Sequence, residues 1–132
     1  MYNINQLSKY KKIALDSEEI ASIEDKLQEL IVYKKYFRYK DATLKTTATQ
    51  LNLSSGKFSA YLNGILNKSY SDFVNEIRIN DALDLLNCNE KIKIKSIVAE
   101  TGFKSTSSFY SAFKKHTGLT PAEINKKYSQ LV

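Results

Sequence analysis

At 132 residues and 15.1 kDa, with 42% hydrophobic residues, the chain is long enough for one domain-sized core. One Pro and four Gly leave long unbroken runs that favour an all-α fold. Its single cysteine, Cys88, excludes an intramolecular disulfide and a paired-thiol metal site and suits a reducing, cytoplasmic setting; no signal peptide and no apolar run of ~18 residues is present. The net charge of +6 is concentrated: residues 91–132 hold eight Lys against Glu100 and Glu123, whereas residues 1–90 hold twelve charges of each sign.

Residues 1–16 carry scattered apolar positions and no turn chemistry, and read as an irregular arm or connector. Asp16-Ser17-Glu18-Glu19 then has the form of a capping box. Ile20, Ile23, Leu27, Leu30 and Ile31 follow at helical spacing, so a long amphipathic helix is expected from Ser17 to about Phe37, ending in the basic cluster Lys34, Lys35, Arg38 and Lys40. Thr43 can cap a short helix, Leu44 to Leu51. After the polar stretch Asn52–Gly56, a third helix from Ser55 to Leu66 would bury Phe58, Tyr61, Leu62 and Ile65.

From Ser69 to about Asn87 an uninterrupted helix is expected, with Phe73, Ile77, Ala82, Leu83 and Leu86 inward. Ile94 to Thr101 makes another short helix that stops at Gly102, a residue tolerant of positive φ. Ser105 can cap the next helix, which sets Phe109, Ala112 and Phe113 on one side and Thr106, Ser107, Tyr110, Ser111 and Lys114 on the other. Helix, tight turn, helix is the helix-turn-helix layout, whose second helix enters the DNA major groove. The unit is duplicated: Leu44, Leu53 and Phe58 correspond to Ile94, Phe103 and Phe109 at offsets of 50, 50 and 51 residues. Each copy leads into a further capped helix, at Ser69-x-x-Asp72 and at Thr120-Pro121-x-Glu123, where Pro121 takes the favoured first helical position.

The run Gly102-Phe103, Ser107-Ser108-Phe109-Tyr110-Ser111-Ala112-Phe113-Lys114-Lys115 and Thr117-Gly118-Leu119-Thr120-Pro121-Ala122-Glu123 closely resembles the C-terminal signature of AraC/XylS-family bacterial transcription regulators. Arg78-Ile79-Asn80-Asp81-Ala82-Leu83-Asp84-Leu85-Leu86 resembles the linker helix of the same family. The likeness covers about Leu44 to Lys127. It implies an all-α fold of two homeodomain-like helix-turn-helix subdomains, 17–67 and 89–132, joined by a linker helix, 68–88. The linker's roughly nineteen residues span about 28 Å, against the ~34 Å between successive major-groove faces. Tyr10 to Leu15 loosely resembles the connector ahead of such domains in large membrane-bound regulators, so a cytoplasmic output domain of a membrane-anchored or multidomain protein is one expected context.

The resemblance implies sequence-specific double-stranded DNA as partner, with promoter binding, RNA polymerase contact and a monomer sufficient for the paired units. Carried over by alignment, the base-contacting positions are Thr106, Ser107, Ser108, Tyr110 and Ser111 in the second recognition helix. In the first they are Ser55, Gly56, Lys57, Ser59 and Ala60, with Asn63 one turn on. Gly56, Ser59 and Ala60 have little reach, which points to backbone or shape recognition by the first copy. Lys104, Lys114 and Lys115 flank the second recognition helix, and Lys57 and Lys45 the first, as phosphate contacts. His116 suits the helix C-terminal dipole or a phosphate better than catalysis. No Gly-rich phosphate loop, metal-ligand cluster or nucleophile–base set supports an enzyme, and no cofactor is expected. The serious rival is a protein-interaction helical domain with a solvated lysine face.

Overall fold

The computed structural model describes residues 15–89 and 91–130, with side chains as far as Lys127. Of the expected arm, 1–16, only Leu15 and Asp16 fall within them. Seven α-helices and no strand occur among the described residues: α1 Ser17–Gln28, α2 Leu44–Gln50, α3 Ser55–Tyr61, α4 Tyr70–Cys88, α5 Ile94–Thr101, α6 Thr106–Thr117 and α7 Pro121–Gln130.

They form two compact units. The first contains the described residues up to Tyr36 together with Asp41–Phe73, and the second contains Phe37–Lys40 together with the described residues from Val74 onward. The cut differs from the expected segments in two ways. Only the first turn of α4 belongs with the first helix-turn-helix, and the short stretch 37–40, expected with the first copy, belongs to the second unit.

In the first unit, Asp16 caps α1 by accepting from the Glu19 N–H at 2.8 Å. The expected 17–37 helix is not continuous. After Gln28 the chain widens into a π turn, Glu29–Tyr33, which the Lys34 N–H closes on the Glu29 carbonyl; Lys35 then turns at φ 50° and a 3₁₀ turn, Tyr36–Arg38, follows. Ile23, Leu27 and Leu30 are buried as expected, and Ile20 and Ile31 only half-buried. Thr43 and Thr46 make a reciprocal capping box at the start of α2. Likewise α3 ends at Tyr61 and continues as a π turn, Leu62–Leu66, so that Ile65 is half-buried rather than buried. Phe58 lies edge-on to both Tyr70 and Phe73, at 6.1 and 6.2 Å. The Tyr70 hydroxyl donates to the Ala42 carbonyl at 2.7 Å, which leaves it the acceptor of the buried Thr47 hydroxyl at 2.8 Å.

The second unit is built on Ile79, Ala82, Leu86, Ile97, Val98, Phe103, Phe109, Ala112, Phe113 and Ile124. Phe109 stacks edge-on against Phe103 at 5.4 Å and packs against Phe113 at 5.5 Å. The inward stripe of α4 differs from the expected one: Val74, Arg78, Ile79, Ala82 and Leu86 are buried, while Ile77 and Leu83 are half-buried.

The duplication appears in the backbone. Asn52 (φ 56°) and Gly102 (φ 92°) make the turns of the two copies, and Asn67 (φ 54°) and Gly118 (φ 75°) end the second helix of each. All four are residues that tolerate the left-handed region. Ser54 and Ser105 cap α3 and α6 by accepting from the N–H three residues on, each at 3.1 Å.

Candidate nucleic-acid interface

In the second unit α6 has one buried side, Phe109, Ala112 and Phe113, and one wet side. Thr106, Ser107, Ser108, Tyr110, Ser111, Lys114 and Lys115 are all exposed, as is Lys104 in the turn. Tyr110 keeps 43% of its surface in solvent while its ring edge rests on Phe109 at 5.7 Å, so the phenol is held in a defined outward position. Thr106 and Ser107 occupy the first two helical positions beyond the Ser105 cap, where short hydroxyl side chains can approach a base edge closely. Ser108 has a second task. Its backbone N–H donates to Ser105 Oγ, and its own Oγ accepts from that hydroxyl at 2.9 Å, so it completes the cap.

Lys114 and Lys115 stand in the last turn of α6, where the helix dipole favours cations. Among the described residues, neither Lys104 nor Lys114 has an ion-pair partner. His116 is half-buried, and its Nε2 is enclosed without a hydrogen-bond partner.

The corresponding face of the first unit is less open. Ser55 and Gly56 are exposed on α3, but Ser59 is half-buried and accepts from Asn63 Nδ2 at 3.2 Å. Ala60 is buried in the core, so it is not placed to touch a base edge as expected. Lys57 donates through Nζ to Glu19 Oε2 at 2.9 Å instead of pointing free into solvent. Lys45 is exposed on α2, and its carbonyl accepts the Thr49 hydroxyl.

Two arginines organise the scaffold of the second unit: Arg78, to which the sequence reading gave no role of its own, and Arg38, expected as part of a helix-end basic cluster. Arg78 is buried to 8% exposure; it donates from Nε to the Phe37 carbonyl at 2.8 Å and from Nη2 to the Tyr39 carbonyl at 2.9 Å, with its guanidinium 5.9 Å from the Phe103 ring centre. Arg38 grips Asp81 with two hydrogen bonds, at 2.7 and 2.9 Å. That bond holds the Arg38 guanidinium charged even more firmly than usual, against the opposing effect of partial burial, with the Asp81 and Glu100 charges adding to it. In the first unit, burial foremost and the Glu24 charge after it push the Tyr61 phenol up, so it stays neutral beyond its ordinary range. An arginine on the apolar stripe Val74–Arg78–Ala82–Leu86 was the available signal for Arg78; the capping-box pattern marked Glu19 as a helix-start acid but not as the partner of Lys57, 38 residues away.

Residues 47–127 match the family model described as a helix-turn-helix domain, and this region contains α3 to α6 whole. The chain belongs to the AraC/XylS-type helix-turn-helix family. This is a family of DNA-binding transcription regulators, not of enzymes. The AraC-type chain is 31% identical over 61 residues to the transcriptional regulatory protein YesN of Bacillus subtilis, covering 46% of this chain and 17% of that protein. It is 27% identical over 88 residues to the melibiose operon regulatory protein of Escherichia coli K12, covering 67% of this chain and 29% of that protein. Among solved structures it is similar to the C-terminal domain of AraT, a response regulator from Geobacillus stearothermophilus, with TM-score 0.67, 25% identity, and coverage of 86% of this chain and 88% of that one. The matched segments thus amount to less than a third of each of the two curated relatives. No described helix of this AraC-type chain is long and apolar enough to cross a membrane, and no described cluster of His, Cys, Asp or Glu has the makings of a metal site.

Proposed function

We infer that this AraC-type domain binds specific double-stranded DNA as the output module of a larger transcription regulator. The observation that carries the reading is α6: an aromatic core side locked under the helix and, opposite it, Thr106, Ser107, Tyr110 and Ser111 between Lys104, Lys114 and Lys115. In this reading Thr106, Ser107, Tyr110 and Ser111 read base edges in the major groove, Ser108 adds a contact as far as its cap allows, and the lysines neutralise phosphates. Helix α3 enters a neighbouring groove segment with Ser55, Gly56, Lys57 and Ser59, with Lys45 toward the backbone. In this reading the two recognition helices occupy successive groove segments, whose faces are ~34 Å apart. A monomer suffices to present both helices. In this reading the domain works within a larger regulator and reaches transcription through contact with RNA polymerase.

Binding to a random-sequence duplex, titrated with salt, tests the reading. The domain should bind at low salt and weaken steeply as salt rises, whereas a protein-interaction bundle would show no such binding. Lys114→Ala should weaken all duplexes by a similar factor and flatten the slope of log affinity against log salt by about 0.9. A loss confined to one sequence would contradict its phosphate role. Ser107→Ala or Thr106→Ala, tested on duplexes selected from a random pool, should shift preference among sites by on the order of 1 kcal/mol. Unaltered preference would remove them from base readout.

A further inference from the structure

The two recognition helices differ in how their lysines are held. Lys114 on α6 and Lys104 in the turn before it have no acidic partner among the described residues, whereas Lys57, the one lysine of α3, is bound to Glu19 at 2.9 Å. Glu19 comes from α1, which lies outside the region 47–127 that matches the family model. Its backbone is pinned, since its N–H donates to the Asp16 carboxylate at 2.8 Å, and α1 is anchored through buried Ile23 and Leu27. In a complete capping box the carboxylate three residues after the cap turns back to the cap's own N–H. Here it reaches across to α3 instead. The Lys57 and Glu19 side chains keep 40% and 34% of their surface in solvent, so the pair is screened and can open, and a phosphate can compete for the ammonium.

We propose that Glu19 is an internal competitor for DNA: its carboxylate holds Lys57 away from the phosphate backbone and so limits the affinity contributed by the first recognition helix. The proposal rests on the DNA-binding reading above. With Lys57 neutralised, Ala60 buried and Gly56 lacking a side chain, α3 contributes little, and base selection falls mainly to α6. A module held below its full affinity in this way leaves non-specific duplex binding weak and makes occupancy depend on what the rest of the regulator supplies.

The test is the affinity of the 132-residue chain for a random-sequence duplex across about 50 to 200 mM salt. Glu19→Gln keeps the side chain's length and leaves the backbone N–H that Asp16 caps. It should tighten binding by roughly 3- to 10-fold at low salt and steepen the salt slope by about 0.9, one further phosphate contact. In a Lys57→Ala background the same substitution should give no gain beyond that of Glu18→Gln, which removes an exposed charge one residue away. Glu19→Gln matching Glu18→Gln, or a gain that persists without Lys57, overturns the proposal while leaving the DNA reading intact. A wild-type chain that shows no salt-dependent duplex binding overturns both.

Discussion

Replacing Gly102 by alanine should unfold the second unit at markedly lower denaturant than the wild-type chain, with a loss of about 2–5 kcal/mol. Two effects add at this position. Its φ of 92° is a left-handed conformation, which costs an L-residue roughly 1–2 kcal/mol. A Cβ built there would lie 2.7 Å from both the Phe37 and the Arg38 carbonyl oxygens. Those are backbone atoms, one of them already held by Arg78. They cannot swing away as a side-chain end would, so the clash is relieved only by moving the segment, at about 1–3 kcal/mol. Gly118 is the internal control: its φ is 75°, but nothing lies within 4 Å of where its Cβ would stand, so Gly118→Ala should cost only the conformational part. Gly102→Asn separates the two contributions, because asparagine tolerates the left-handed region yet brings the same Cβ. It should remain clearly worse than Gly118→Asn. Urea unfolding followed by far-UV circular dichroism measures all four, and equal losses at positions 102 and 118 would refute the close approach.

Arg78→Met should cost about 2–4 kcal/mol, even though methionine fills much of the same space. The substitution removes Arg78's hydrogen bonds to the Phe37 and Tyr39 carbonyls, the first of them buried, and losing a buried hydrogen bond of a charged donor costs about 1.5–3 kcal/mol. The guanidinium's approach to the Phe103 ring is lost as well. Arg78→Lys should recover little of this, since one ammonium cannot reproduce two donors in a fixed fork. Arg38→Ala should cost less, because the Arg38–Asp81 pair is partly exposed. The signature of the mechanism is local. In Arg78→Met, hydrogen exchange should quicken through α5 and the turn at Gly102 as the 37–40 segment loosens. Uniform acceleration across both units would point to a different cause.

Most of the helices and their caps were legible because they depend on residues close in sequence. Ser54 and Ser105 cap because a hydroxyl reaches an N–H three residues on, and Gly102 and Gly118 end helices because the backbone there needs positive φ. Phe58, Phe103, Phe109 and Phe113 went inward as their periodicity demands. The exposed set on α6 follows from the same alternation of faces.

Errors arose where one segment answers to more than one neighbour. The run from Ser17 to Phe37 has unbroken helical periodicity, yet the chain widens at Glu29–Tyr33 and turns at Lys35, giving up Phe37–Lys40 to the other unit. Within α4 the buried positions are Val74, Arg78 and Ile79 where Ile77 and Leu83 were expected.

Composition, spacing and capping chemistry by themselves determined the helical class, the duplicated motif and the wet face of α6, since each is set by interactions spanning only a few residues. Tertiary structure alone decided that Glu19 claims Lys57, that Arg78 braces the carbonyls of Phe37 and Tyr39, and that Gly102 lies beneath them. Those partners are tens of residues apart, and a distance between elements has no signature in the order of residues within either one.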